Sequence, residues 1–554
     1  MGQLWPKGSG SMGKPITVDK YGAGVDPIVN GGGVEDAVKL YNQEYWVIRN
    51  LEITNMGEKS AARRGVHLVL DNYGTAHDVT IADLTIHDVN GDLAHKDNGG
   101  IIWSVNGNRK PSRFDGLTIE HCFVHRVDRS GIAAQSFHWS RDKWFPSLHV
   151  TIRRNSLDDI GGDGIVAWAC DGVLVEWNTA GNCNRRSHEY NAAIWPWSCD
   201  NSVFQHNEAY LTHGTRDGQG FDSDWNSRNT LFQYNYSHDN EGGFMLICND
   251  GSVPSSTSSG NTGTIVRYNV SQNDGTRTFH LPGPVQDTKI YNNTIYIGPG
   301  MDVNVVQMSN WHGWAKNTVF YNNIFYVDGT AHYGHELTRS EDGRFQIGPG
   351  MAPAQETVFD SNVFFGRHID PPADAAGLNS DPQFVKAGSG GRGLQSLTGY
   401  QLRPGSPAIG TGRRVVVEQI RDFEDVPVAG KPDRGALQYR SPSGKAHARH
   451  LQNDELKRAM RRNRALVAEY FRTIYGAEYT PGFWRSTWGG ECPADVLMSR
   501  ARAEVQILAD RLSEVRTRGL PLHIRPGMAD PEFIRAMNLT ARDLARSIQP
   551  ASGF

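Results

Sequence analysis

The stretch "LVEWN", residues 174–178, has several counterparts along the chain that share its residue pattern but differ in sequence. Each copy is a short run rich in β-branched or aromatic residues that ends in asparagine. The copies are "TIRRN" (151–155), "VFQHN" (203–207), "LFQYN" (231–235), "IVRYN" (265–269), "KIYNN" (289–293), "VFYNN" (319–323) and "VFDSN" (358–362). A unit of short strands that cannot bury its own apolar face must stack on copies of itself. The repeat therefore predicts an all-β fold, a right-handed parallel β-helix of about eleven coils, with successive coils about 4.8 Å apart.

The recurring asparagine predicts an amide ladder inside the coil, because identical amides one coil apart can hydrogen-bond along the axis. Asparagines that only mark turns would not follow a β run so regularly. Earlier copies carry an apolar residue instead, and "LTIEHC" predicts that Cys122 takes the ladder position as a small apolar substitute.

A second strand comes into register when the coils are aligned on that asparagine. Its copies are "NGGIIWS", "RSGIAAQ", "GDGIVAW", "NAAIWPW", "GQGFDSD" and "EGGFMLI". Alternation along a strand predicts an inward stack and two outward rows. The inward stack is Ile101, Ile132, Ile165, Ile194, Phe221 and Phe244. The first outward row is Ile102, Ala133, Val166, Trp195, Asp222 and Met245, and the second is Ser104, Gln135, Trp168, Trp197, Asp224 and Ile247.

The two outward rows place carboxylates beside solvent-facing indole rings, with Asp222 and Asp224 next to Trp168, Trp195 and Trp197. Exposed aromatic faces in a row need a partner, and a sugar ring stacks on such faces while carboxylates bind its hydroxyls. The pattern predicts a carbohydrate site. The alternative is that long turns fold back over the rings and bury them as a satellite core.

Composition limits the function classes. The chain has 554 residues with a formal net charge of −4, which gives no reason to expect a nucleic-acid partner. It contains no apolar run of about 18 residues, so we expect no membrane span. The amino terminus lacks a signal-peptide core, so the protein is expected to be secreted or periplasmic if a leader has been removed, and cytoplasmic otherwise. Cys170 and Cys199 should be neighbours on adjacent coils, bonded or free according to the compartment.

The character of the sequence changes near residue 441. Apolar residues then recur at intervals of three and four, as in "DELKRAMRRNRALVAEYF". We expect a β-helix over residues 1–440 and an α-helical domain over residues 441–554, whose helices could mediate oligomerisation.

Residues 13–440, about three quarters of the chain, resemble right-handed parallel β-helix (pectin-lyase-like) proteins of bacterial polysaccharide breakdown. The resemblance lies in "GKPITVDKYGAG", "YWVIRNLEITNMG", "IHDVNGD", "AAIWPW", "DGQGFDSDW" and "FQYNYSHDNEGGFML". The sequence is most similar to glycoside hydrolase family 141, which implies hydrolysis of a glycosidic bond in a plant or bacterial glycan, with fucosidase- or xylanase-like activity.

Glycoside hydrolysis generally needs two carboxyl groups. The leading pair is Asp222 with Asp163, with Asp224 assisting; Glu241 is a further candidate and Asp217 a weaker one. Candidate substrate-binding residues are Trp168, Trp195, Trp197, Trp225, His238, Arg129 and Gln219. We expect no cofactor, with Ca²⁺ as the alternative.

Two other functions stay open. A polysaccharide lyase would cleave uronate-containing glycans by β-elimination and needs a cation and a basic residue at the site. The outward rows show no lysine or arginine beside the carboxylates, which favours the hydrolase. A non-catalytic glycan-binding β-helix would not depend on Asp222 or Asp163 for its function.

Overall fold

The computed structural model describes residues 2–22, 24–187, 189–339, 345–415, 421–428 and 430–440. Within them the chain winds into a parallel β-helix with three ladders of strands, here called faces 1, 2 and 3. The β-helix and its closing segments form one compact unit, Met1–Arg413, Asp422–Glu424 and Lys431–Tyr439. The predicted α-helical domain at residues 441–554 lies outside the described residues, so its boundary stays a prediction.

Face 1 carries the repeat from which the fold was predicted, and each of its strands pairs in parallel with the next. Its twelve strands are β1 (Ile16–Val18), β4 (Trp46–Arg49), β7 (Thr75–Ala82), β10 (Arg113–Glu120), β13 (Ser147–Arg153), β17 (Leu174–Glu176), β20 (Val203–Gln205), β23 (Leu231–Gln233), β26 (Ile265–Arg267), β29 (Gln286–Tyr291), β32 (Lys316–Tyr321) and β35 (Gln355–Asp360). The short strand β16 (Cys170–Asp171) also pairs with β13. The fold class is confirmed, with one rung more than the expected eleven.

Face 2 follows face 1 in each coil. Its strands are β2 (Ile28–Asn30), β5 (Glu52–Asn55), β8 (Thr85–Val89), β11 (Phe123–Val127), β14 (Ser156–Ile160), β18 (Thr179–Gly181), β21 (Glu208–Tyr210), β24 (Tyr236–His238), β27 (Val270–Gln272), β30 (Thr294–Ile297), the first part of β33 (Ile324–Arg339) and β36 (Val363–Ile369).

Face 3 completes each coil and carries the predicted carboxylates. Its strands are β3 (Asp36–Tyr41), β6 (Arg64–Asp71), β9 (Gly99–Asn106), β12 (Ser130–Ser136), β15 (Ile165–Trp168), β19 (Ile194–Trp197), β22 (Gln219–Ser223), β25 (Gly243–Ile247), β28 (Arg277–Pro282), β31 (Asp302–Ser309) and the second part of β33. An antiparallel strand, β34 (Phe345–Pro349), pairs with the end of β33. Short 3₁₀ helices span Arg141–Lys143 and Leu394–Tyr400.

The amide ladder runs through the buried interior as predicted. Each asparagine side chain donates to the side-chain oxygen of the next one at 2.9–3.0 Å, through Asn155, Asn178, Asn207, Asn235, Asn269, Asn293, Asn323 and Asn362. Cys122 takes the position before Asn155, whose side-chain oxygen accepts from the Cys122 backbone N–H at 2.9 Å. Because a turn asparagine would face solvent, the burial of these amides confirms that the repeat marks the inside of the coil.

The predicted alignment of the face 3 strands is correct as far as β22, but β25 pairs with β22 one residue away from the predicted register. Ile194 pairs with Phe221, but Phe221 pairs with Met245 and Asp222 with Leu246. The placement of Met245 and Ile247 in the outward rows was therefore wrong, and both lie in the core. The Gly242–Gly243 pair offered two alignments, and the structure sets Gly243, not Gly242, opposite Gln219.

Cys170 and Cys199 are neighbours on adjacent coils, and the Cys170 backbone N–H lies 3.4 Å from Cys199 Sγ. Both are buried free thiols in this structure. Among the described residues, no helix is both long and apolar enough to cross a membrane.

Candidate active site

The stretch "DGQGFDSDW" (217–225) turns into β22 of face 3. Phe221 fills the core opposite Ile194, so alternation sends Asp222 to the outer side of the sheet. The turn before the strand requires glycine at position 218, where φ is 74° and a Cβ would lie 1.9 Å from the Gly214 carbonyl oxygen. Asp217 precedes this close turn and lies near enough to Asp222 for its charge to raise the pKa of that carboxyl group.

Three aspartates, Asp217, Asp222 and Asp224, form what we call the carboxyl cluster. Asp222 is 4% exposed, whereas Asp217 and Asp224 are half-buried. One oxygen of Asp222, one of Asp224 and the sulfur of Cys248 all lie within 4.8 Å of one another. Asp224 Oδ1 accepts from the Trp225 backbone N–H at 2.7 Å and from the Cys248 thiol at 2.9 Å. Asp222 Oδ1 has no hydrogen-bond partner among the described residues.

Burial and mutual repulsion hold protons on this cluster. Burial raises the pKa of Asp224 to about 6, although the Cys248 and Trp225 hydrogen bonds oppose the shift. Burial raises the pKa of Asp217 to about 7, with a further increase from the charge of Asp224. Burial, then the charges of Asp224 and Asp217, raise the pKa of Asp222 well above its usual range. All three carboxyl groups consequently keep their protons to a higher pH than an exposed aspartate does.

Asp163, one member of the predicted leading pair, is already fully engaged. Its Oδ2 accepts from Lys96 Nζ at 2.7 Å and from Arg129 at 3.0 Å, and its Oδ1 accepts from the Trp195 indole at 3.0 Å. Asp163 is completely buried and Arg129 is 2% exposed. Both oxygens of this carboxylate are occupied by side chains of the protein, which suits an anchor rather than a group that contacts a substrate.

Lys96 brings positive charge close to the carboxyl cluster. It donates to Asp163, Asn191 and the Tyr190 carbonyl, and its Nζ lies 4.8 Å from the centre of the Trp195 ring. Its charge lowers the pKa of all three cluster aspartates against the larger effect of burial. The outward rows themselves place no lysine or arginine beside the carboxylates, and Lys96 reaches them from a turn that precedes β9.

Arg277 supports the turn that carries Asp217. Its guanidinium donates to the carbonyls of Thr215 at 2.6 Å and Arg216 at 3.1 Å. Burial lowers the pKa of Arg277 to about 10, and the charge of Asp217 works in the opposite direction. The buried guanidinium thus hydrogen-bonds to the backbone of this turn, and its positive charge favours the ionised form of Asp217.

The expected solvent-facing tryptophans are partly covered. Trp195 is only 6% exposed and joins a small outer cluster with Ile102, Ala133, Val166 and Ala192, as in the satellite-core alternative. Around the half-buried Trp197 lies a second group, here called the tryptophan cluster. Its members are Trp139, Trp168, Trp197 and Trp225, with ring centres 4.0–5.1 Å from Trp197.

The tryptophan cluster combines apolar rings with unused donors. The indole nitrogens of Trp168 and Trp197 are buried without a partner among the described residues, and so are both amide atoms of Gln219. Buried polar groups are nearly always paired in proteins, so unpaired ones beside a carboxyl cluster mark a place where a polar ligand binds. Trp225 belongs to the tryptophan cluster and Gln219 begins β22, and their part in substrate binding stays a prediction.

Two predicted residues lie apart from the carboxyl cluster. His238 belongs to face 2, where it stacks on Tyr210 and bonds to Asp239 and Glu208. Burial lowers its pKa, but those two hydrogen bonds outweigh that effect and raise it to about 9. Glu241 accepts from the Gly214 backbone N–H at 2.6 Å and lies 3.1 Å from His213 Nδ1. Its side chain is half exposed, so it ties two turns together at the surface.

The structure adds residues that the alignment missed. Trp139 lies in a loop outside the repeat, held by a hydrogen bond from Asn226 to its carbonyl. Because of the register shift, Cys248 lies next to Asp224 in place of Ile247. Lys96 and Arg277 reach the site from other coils. A cluster of tryptophans in "FHWSRDKW" was the only sequence signal for Trp139.

The donor set argues against a calcium site. Ca²⁺ binds six to eight oxygen ligands, whereas Asp222 and Asp224 share their immediate surroundings with a thiol. A thiolate suits softer ions, and burial raises the pKa of the Cys248 thiol well above its usual range, which keeps it protonated.

No family model matches the chain. The chain is 28% identical to a lacto-N-biosidase of Bifidobacterium longum subsp. longum, over 78% of this chain and 32% of the relative. Among solved structures, the chain is similar to the selenomethionine derivative of the GH136 lacto-N-biosidase from Eubacterium ramulus. The two are 24% identical, with a TM-score of 0.50, and the match covers 66% of this chain and 59% of that one. Its native form matches with a TM-score of 0.49.

The chain spans about a third of the length of its curated relative, and the structural likeness shows the parallel β-helix fold. The resemblance to β-helix glycoside hydrolases is confirmed, whereas the finer assignment to family 141 has no support among these similar proteins, which are lacto-N-biosidases.

Proposed function

We propose that this protein is a glycoside hydrolase that cleaves an oligosaccharide at the carboxyl cluster of face 3. The observation that carries the proposal is the position of Asp222 and Asp224, which lie within 4.8 Å of one another on face 3 and next to the tryptophan cluster through Trp225. Burial also raises the pKa of Asp224 and of Asp217. Glycoside hydrolysis needs one ionised and one protonated carboxyl group at the same pH, and environments that separate two carboxyl pKa values assign these roles.

Asp224 is the ionised partner. The Trp225 N–H and the Cys248 thiol both donate to its Oδ1, which orients the carboxylate and favours its charge. It attacks the anomeric carbon as the nucleophile or activates the water that does so.

Asp217 is the general acid. A pKa near 7 leaves it largely protonated at pH 6, ready to give its proton to the departing glycosidic oxygen. Burial and the charges of Asp224 and Asp217 favour the protonated form of Asp222, which limits the negative charge beside Asp224. This assignment replaces Asp163, which we propose anchors Lys96 and Trp195 behind the site.

The tryptophan cluster would hold the sugar. Half-buried rings offer apolar faces for sugar C–H groups, and the unpaired N–H groups of Trp168 and Trp197 can donate to ring substituents. The relative's name makes lacto-N-biosidase activity the first to test, in place of the fucosidase- or xylanase-like activity that family 141 implied. We propose that the reaction needs no metal ion.

The deciding experiment incubates the purified chain with a chromogenic aryl lacto-N-bioside and with a panel of oligosaccharides and polysaccharides. New reducing ends without ultraviolet absorbance at the double-bond wavelength support hydrolysis. An unsaturated product, or activity that a chelator removes, would instead identify a lyase.

Matched variants separate catalysis from binding. Asp224→Asn and Asp217→Asn should slow turnover strongly but retain glycan binding. A glycan-binding protein without activity would bind equally well in all forms and release no product from any substrate. That outcome would overturn the proposal.

A further inference from the structure

A second polar constellation lies on the outer side of face 3, in the first three rungs of that face. His67 of β6 stands in its middle. Its Nε2 is 2.8 Å from Ser104 Oγ on β9, and its Nδ1 is 2.9 Å from Asp36 Oδ1 on β3. A serine hydroxyl, an imidazole and a carboxylate joined in this order form the arrangement that activates serine as a nucleophile in hydrolases on several unrelated folds.

The three side chains are held by neighbouring strands of one sheet. Asp36 pairs with Arg64 in the β3–β6 register, and Ser104 pairs with Val69 in the β6–β9 register. Two cationic side chains also bind the Asp36 carboxylate: Arg64 Nε donates to Oδ1 at 2.7 Å and Lys39 Nζ donates to Oδ2 at 2.6 Å. Residues on paired strands hold their geometry more precisely than residues on loops.

The charges favour the reactive protonation state. Burial works against the Asp36 charge, but the His67 hydrogen bond and the charges of His67 and Arg64 outweigh it and hold the pKa well below its usual range. Burial lowers the pKa of His67, so its ring is neutral at pH 7. Arg64 Nε also lies 3.0 Å from His67 Nδ1, but its shorter contact is the 2.7 Å one to Asp36 Oδ1. Asp36 can then accept from both Arg64 and Nδ1–H, which leaves the Nε2 lone pair to accept the Ser104 proton. Arg64 and Lys39 oppose an imidazolium, so we expect a slow reaction.

The reactive end of the constellation is the accessible one. Asp36 is completely buried and His67 is 7% exposed, whereas Ser104 is only half-buried. Gln135 lies directly beyond Ser104 in the same outward row, one coil further along. Its carboxamide can donate to an oxygen that becomes negatively charged at an acyl carbon attacked by Ser104.

We propose that Ser104, His67 and Asp36 form an esterase site, separate from the carboxyl cluster, that hydrolyses small acyl esters. Ser104 Oγ bonds to the acyl carbon while its proton moves to His67 Nε2. The ester C–O bond then breaks, and the alcohol leaves with that proton. Water, deprotonated by His67, splits the acyl-serine, releases the carboxylic acid and restores the serine.

The outward row links this site to the tryptophan cluster. Along it Ser104 is followed by Gln135, Trp168 and Trp197, with Ser104 and Trp197 about 14 Å apart at 4.8 Å per coil. An acyl-substituted glycan lying on the indole rings could therefore present its ester to Ser104. The ester chemistry is the same whether the alcohol is a sugar or a small molecule.

The test uses a fluorophosphonate probe on the full chain, with labelling followed by intact mass and peptide mapping. We expect one label on Ser104, its loss in Ser104→Ala, and labelling about 100-fold slower in His67→Asn. Ser136→Ala is the control, because that serine of β12 accepts from the His138 backbone N–H instead of an imidazole. Labelling that misses Ser104, or that is unchanged in His67→Asn, would overturn the proposal.

A second measurement follows acid release from p-nitrophenyl acetate and from an O-acetylated oligosaccharide. Ser104→Ala should lose both releases while keeping its melting temperature and its cleavage of the glycosidic substrate. Acid release that persists in Ser104→Ala would also contradict the site. Because Asp217 and Asp224 play no part in this reaction, Asp224→Asn should retain ester hydrolysis, so the esterase and the glycosidase proposals fail separately.

Discussion

The amide ladder and the carboxyl cluster are both built from polar side chains that the β-helix buries, yet they differ in how those side chains are paired. Asn235 accepts from the Asn207 backbone and side chain and donates to Asn269 and to the Phe204 carbonyl. Asp222, by contrast, leaves a buried oxygen without a partner among the described residues. A satisfied buried network stabilises a fold, whereas an unsatisfied one costs stability and persists where a ligand uses it.

The first test of this contrast removes the carboxylate of Asp224, which we propose acts in catalysis. Asp224→Asn should lower kcat/KM for the glycosidic substrate by about 10³-fold or more, because the amide can neither attack nor activate water. Asp250→Asn, a matched change in the turn after β25, should stay within about twofold. Equal losses in both variants would remove Asp224 from the mechanism.

The second prediction concerns the ladder itself. Asn235→Ala should lower the free energy of unfolding by about 3 kcal/mol, because it leaves several buried donors and acceptors unpaired at once. Urea unfolding measures the change, and Asn108→Ala in an exposed turn should cost less than about 0.5 kcal/mol. Similar costs at the two positions would show that the ladder adds little.

Asp222→Asn should raise the free energy of unfolding at alkaline pH, whereas Asn235→Ala should lower it. A carboxyl whose pKa is higher in the folded than in the unfolded state contributes stability at low pH and loses it as the pH rises above about 4. The isosteric amide cannot ionise, so the variant should be more stable than the parent at pH 8, by about 1 kcal/mol. It should show no gain at pH 4. A variant that is less stable at pH 8 would mean that the ionised oxygen is paired after all.

The smallest expected effect is at Cys248. Cys248→Ala removes a donor to Asp224, so the pKa of that carboxyl should rise and the acidic limb of the activity profile should move from about pH 6 to about pH 7. Cys248→Ser keeps a donor and should preserve the limb. A uniform loss of activity in both variants, without any movement of the limb, would indicate a packing role only.

The contrast also explains which features the sequence could predict. The Asn155 to Asn362 repeat determined the fold because every copy obeys the same packing rule. The outward positions of Asp222 and Asp224 followed from alternation along one strand. Lys96, Trp139 and Arg277 could not be found in this way, since they reach the site through turns or from other coils.

The register beyond Asp222 shows a further limit. Adjacent glycines at 242 and 243 fit two alignments equally well in sequence, and only the packing of Met245 into the core distinguishes them. The same step moved Cys248 next to Asp224. Asp163 illustrates the opposite case: its position was found, but its two cationic partners were invisible in one coil of sequence.

The most direct measurement is the pH dependence of kcat/KM for the unchanged chain and for Asp217→Asn. The unchanged chain should give a bell, rising near pH 6 as Asp224 ionises and falling near pH 7 as Asp217 loses its proton. Asp217→Asn should be slow and should lack the falling limb. A falling limb that survives in Asp217→Asn, with activity close to that of the parent, would show that the buried cluster does not supply the acid.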